Sequence, residues 1–73
     1  MTLTVSSDIE YKYFEVTTKN KKFADYPLAF RGGWNGETIC TCIDKKDWFK
    51  QLEAIASWVN NELGEECLFE VFH

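Results

Sequence analysis

The sequence predicts an α+β domain, an antiparallel sheet of four to five strands with one long helix, about residues 44–63, packed on one face as a two-layer sandwich. Three observations lead there. Only one segment places its apolar residues at helical spacing. The rest of the chain reads as short runs of aromatic and β-branched residues separated by turn residues. At 73 residues, with no break in composition and no repeat, there is room for one core, so residues 1–73 form a single domain.

In chain order, Leu3 and Val5 suggest a short first strand, and Glu10 to Thr18 a longer second one. Alternation in the second breaks between Tyr13 and Phe14. Ile9, Tyr11 and Tyr13 share one face while Phe14 and Val16 take the other, so either a β-bulge or apolar contact on both sides is expected. A polar Asn20-Lys21-Lys22 turn follows. Residues 28–31 and 37–43 then flank Gly32-Gly33-Trp34-Asn35-Gly36 as a hairpin, with Pro27 at the start or edge of its strand.

The helix has marked ends: Asp44 as N-cap, Asp47 as an acid in the first turn, and Gly64 just past the last turn. At about 100° per residue, Trp48, Phe49, Leu52, Ile55, Ala56, Val59 and Leu63 fall within roughly 120°, the expected core face. Trp58 lies about 120° from the centre of that stripe and is expected to be at least half exposed. The last strand, residues 67–72, sets Cys67, Phe69 and Val71 on one face and Leu68 and Phe72 on the other.

One helix covers one face of a sheet. Tyr11, Tyr13, Leu68 and Phe72 are therefore expected on an open face, unless the segment 19–27 folds over it with Phe23, Tyr26 and Leu28 as cover.

Charge narrows the choice of partner. The net charge is −4 and the isoelectric point about 4.8, which argues against binding nucleic-acid phosphates or anionic lipid and favours a basic partner. Lys19, Lys21 and Lys22 cluster in one segment, while Glu62, Glu65, Glu66 and Glu70 crowd the C-terminal end. Acids near a helix C-terminus oppose its dipole at about 0.3–1 kcal/mol each. The chain lacks an apolar run of the ~20 residues that would span a bilayer, and its first residues lack a basic-then-apolar pattern; it reads as soluble and cytoplasmic. Three cysteines, Cys40, Cys42 and Cys67, cannot all pair within one chain, in keeping with a reducing compartment.

Searches for catalytic groupings return little. His73 is the one histidine and is terminal, which leaves no support for histidine-based base catalysis. Gly32, Gly33 and Gly36 lie between strands and open no helix, so they do not form a phosphate loop. Cys40 and Cys42, with Cys67 and His73, have poor spacing for a tetrahedral metal site. The chain is expected to be no enzyme and to hold no metal or cofactor.

With three Trp, three Tyr and six Phe, the aromatic surplus points to binding. Trp34, Trp58, Tyr11, Tyr13 and Phe72 are the candidate anchors, and Glu62, Glu65, Glu66 and Glu70 the candidate steering charges. Size, acidity and aromatic content are shared with small inhibitor proteins of bacteria and phages, immunity and anti-defence proteins among them, although no motif ties the chain to one of them. The expected role is a non-catalytic inhibitor or modulator of a larger basic or nucleic-acid-handling protein. The alternative is a homodimeric structural or regulatory subunit associating through the open sheet face.

Overall fold

The computed structural model describes residues 1–8, 12–32 and 37–72; Ile9, Glu10, Tyr11, Gly33, Trp34, Asn35, Gly36 and His73, and with them most of the expected hairpin connection, lie outside the described residues. The strands are β1 (Thr2–Asp8), β2 (Tyr13–Thr18), β3 (Phe30–Gly32), β4 (Thr38–Asp44) and β5 (Leu68–Phe72). They form one five-stranded sheet in the order β3-β4-β2-β1-β5. The α+β class and the single long helix are as the sequence predicts.

Two strand details differ. β1 runs the full length of β2, and β2 begins at Tyr13 because Lys12 takes a left-handed φ of 57°, a conformation no strand can continue. The Lys12 carbonyl accepts the Lys45 N–H at 3.1 Å, tying this turn to the start of the helix. Within β2, Phe14 pairs with Ile43 toward the core and Tyr13 pairs with Asp44 on the opposite face, so simple alternation explains the apolar neighbours.

The helical segment covers residues 45–63. It opens with a 3₁₀ turn at Lys45–Asp47, continues as α1 (Trp48–Trp58) and widens into a π turn at Val59–Leu63. Asp44 caps it, its side chain accepting the Lys46 N–H at 2.7 Å. Gly64 ends it at φ 63°, donating its N–H to the Val59 carbonyl.

Pairing is antiparallel for β1 with β2, β2 with β4 and β3 with β4, but β5 runs parallel to β1. The sheet is thus mostly antiparallel, as expected, with one parallel pair at its β5 edge. The cause is the helix, which carries the chain back along the sheet so that β5 sets out in the same direction as β4. β4 and β1 share a direction because both oppose β2.

The core lies between sheet and helix. Leu3, Val5, Val16, Ile55 and Val59 are fully buried there, joined by Ile39, Ile43, Phe14 and Leu52. Each such side chain contributes about 1.5–3 kcal/mol of burial free energy. Phe23, also fully buried, comes from a 3₁₀ turn at Lys21–Asp25 that Asn20 caps through the Lys22 N–H.

The flanks of the helix stripe are the chief surprise. Phe49 and Trp58 each stand about 90° from the centre of Leu52, Ile55 and Val59, on opposite sides. Trp58, expected on the surface, is mostly buried: Tyr26 meets it edge-on at 5.2 Å and Phe23 at 6.2 Å. Phe49, expected in the core, is 64% exposed and touches Trp48 edge-on. The difference is what covers each flank. Segment 21–26 packs against the Trp58 side, whereas Phe49 stands exposed at the first turn of α1, its ring edge-on to Trp48.

Truncating the centre of the stripe tests this arrangement. Ile55→Ala is expected to cost about 2–5 kcal/mol, comparable with the roughly 3–5 kcal/mol a domain of this size holds. At Gly64 an added methyl group meets nothing within 4 Å, so Gly64→Ala carries only the left-handed backbone penalty, about 1–2 kcal/mol. Urea denaturation followed by tryptophan fluorescence ranks the two; equal losses would contradict the assigned core.

Candidate functional site

Register decides which side chains share the face away from the helix. The pairs Thr17 with Cys40, Glu15 with Cys42 and Tyr13 with Asp44 place these residues on it, together with Phe30 from β3. From β1 come Thr4 and Ser6, and from β5 Leu68, Glu70 and Phe72. Segment 19–27 does not cover this face, because Phe23 and Tyr26 are committed to the helix side.

The face has a definite layout. Phe30 on one edge is 52% exposed; Leu68 and Phe72 on the other are 52% and 57% exposed. Between these edges lie four strand spacings, roughly 19 Å. The middle is small and polar, with Thr4, Ser6 and Thr17. It is thus two apolar margins around a hydroxyl-rich centre, and the β5 margin is the richer. Glu15 and Glu70 supply the charge, with Asp44 at the rim, its carboxylate also capping the helix, and none of the described strand positions on this face is Lys or Arg.

Both thiols of the face are chemically quiet. Cys40 is buried and Cys42 exposed, and both have their pKa raised, first by desolvation and then by the negative charge of Glu15. Cys67 is raised as well, by burial. A raised pKa leaves little thiolate at neutral pH, so these are weak nucleophiles. Among the described residues no three His, Cys, Asp or Glu side chains gather in a way that could hold a metal ion. No described helix is long and apolar enough to cross a membrane.

The structure gathers some of the expected binding residues and separates others. Tyr13, Glu70 and Phe72 lie on the open face. Trp58 is partly buried on the core flank against Phe23 and Tyr26, and so less exposed than expected. Tyr11 and Trp34 lie outside the described residues. Glu62 and Glu66 are exposed, at the end of the helix and in the connection to β5. Glu65 is engaged within the fold: it binds the Lys22 ammonium at 3.0 Å and lies 3.9 Å from the amino group of Met1. The Lys22 hydrogen bond, aided by the positive charges of Lys22 and the Met1 amine, holds its carboxyl below the ordinary value of 4.5 despite some desolvation. Phe30 and Glu15 join the face without having been singled out, as does Asp44, read from the sequence only as a helix cap; the signal was strand alternation along β2, β3 and β4, once their pairing is known.

Comparison with protein-family models, with curated protein sequences and with solved structures finds no match to this chain.

Glu65 gives a pH test with a fixed sign. A carboxyl whose pKa is lowered by folding stabilises the fold fully above its ordinary value and loses that effect as pH falls through the lowered value. Glu65→Gln should therefore be less stable than the native chain at neutral pH, and the gap should close at about pH 2, below the usual carboxylate range. Urea denaturation at both pH values reads it; a gap that persists in acid would deny the Lys22–Glu65 bond its role.

Proposed function

We propose that this chain is a small, acidic, non-catalytic binding protein that engages a larger protein carrying a basic surface, and inhibits or modulates it by occupying that surface. The supporting observation is the open sheet face, where Phe30, Leu68 and Phe72 are left exposed around carboxylates with no Lys or Arg among the described strand positions. In a domain of marginal stability, exposed phenylalanines add nothing to the fold; they gain free energy only when a partner covers them. The acid-only face adds long-range attraction toward a basic partner and repels another acidic one.

A nucleic-acid-handling protein fits this description, since its basic cleft would meet carboxylates in place of phosphates. An inhibitor of the bacterial or phage type and a cytoplasmic setting belong to the same proposal, the latter supported by three free thiols. The dimer alternative would use the same exposed residues. It is the weaker reading, because two copies face to face would oppose Glu15, Asp44 and Glu70 with the same charges.

The test combines affinity capture from the native host with kinetics on the protein captured. Phe72→Ser and Phe30→Ser should leave the fold intact, and each anchor should cost about 2 kcal/mol in binding. Glu15→Gln with Glu70→Gln should slow association and flatten its dependence on salt. Native kinetics in all of these variants would reject the open face as the binding surface.

A further inference from the structure

β5 ends the sheet, and the register says which of its backbone groups have no strand partner among the described residues. The Leu68 N–H donates to the Met1 carbonyl at 2.9 Å, and Thr2, Thr4 and Ser6 align with Leu68, Glu70 and Phe72. In a parallel ladder, alternate residues turn both backbone groups toward the neighbouring strand. Leu68, Glu70 and Phe72 therefore bond to β1, and Phe69 and Val71 point N–H and C=O outward, away from the sheet. The devices that usually blunt such an edge are missing: Leu68–Phe72 contains no proline, no lysine and one charge, Glu70. Its apolar residues are exposed on both faces, Leu68 and Phe72 on the open side and Val71, 43% exposed, on the helix side.

We propose that β5 accepts an added strand from the partner, an extended segment with a basic residue flanked two positions away on each side by apolar ones. This rests on the reading of the chain as a binder of a basic protein and specifies how the partner is held. An antiparallel segment would bond to the outward groups of Phe69 and Val71. Its residue opposite Glu70 then falls in the narrow site between those bonded pairs, where Cα atoms approach to about 4.5 Å and side chains are closest. A Lys or Arg there meets Glu70, which makes no ion pair among the described residues. Its neighbours two residues away cover Leu68 and Phe72. A second copy of the chain fits this edge less well. The two-fold register that pairs Leu68 with Phe72 and Phe69 with Val71 sets Glu70 directly against the copy's own Glu70, with a net charge of −4 on each chain.

The probe is an acetylated, amidated peptide, Thr-Val-Thr-Lys-Thr-Val-Thr, titrated at low salt into the isotope-labelled full chain, beside the same peptide with Glu in place of Lys. Amide shifts are expected to centre on Phe69 and Val71, and the Lys peptide to bind about five-fold or more tightly than the Glu peptide. Glu70→Lys, on an exposed side chain, should reverse that preference, and Glu70→Gln should erase it. Shifts centred elsewhere, equal affinities for the two peptides, or sedimentation showing β5 occupied by a second copy would overturn the proposal. If the peptide passes β5 by while Phe30→Ser still weakens the captured partner, strand addition fails and the open-face reading stands.

Discussion

Everything in this small protein depends on one seam, the stripe of Leu52, Ile55 and Val59 against the sheet residues Leu3, Val5, Val16 and Ile39. A single helix supplies one stripe, and one stripe closes one face. The other face must then be made of residues that tolerate water, and its centre is accordingly threonine and serine. The same helix reverses the chain between β4 and β5, which is why the last strand lies parallel to β1 at an outer edge. Position, direction and exposure of β5 all follow from the one crossing.

Local patterns made much of this legible. Asp44 and Gly64 mark the helix because an N-cap and a left-handed C-terminal residue are chemical necessities at those points. Alternation gave the faces of β5. What stayed hidden was set by residues distant in sequence. Helical angle misplaced Trp58 and Phe49, because both flank the buried centre of Leu52, Ile55 and Val59 equally and the arrival of Phe23 and Tyr26 on one side separates them. Glu65 looked like one more acid in a repulsive cluster, yet it meets Lys22, 43 residues away in sequence. The parallel pairing of β5 likewise needs the path of the helix, which no strand pattern encodes.

For function, the important shift is from tryptophan to strand edge. On composition the aromatic surplus points to surface anchors, but Trp48 stacks on Phe14 at 5.0 Å and Trp58 packs against Phe23 and Tyr26, so both serve the fold. Among the described residues, the large apolar side chains left in water are Phe30, Leu68, Phe72, Val71, Leu28 and Phe49, and three of these six stand on β5. Carboxylates follow the same geography: Glu70 lies between Leu68 and Phe72, while Glu65 is drawn inward as part of the fold. Anchor and charge coincide where backbone hydrogen-bonding groups are also free.

Amide hydrogen exchange on the isolated chain tests that coincidence most directly. If the helix crossing places β5 at an open edge in the register described, protection along Leu68–Phe72 must alternate: the amides of Glu70 and Phe72 exchange slowly with those of β1, and the amides of Phe69 and Val71 exchange fast. Uniform protection through all five residues would show that something already covers the edge, and would contradict the account.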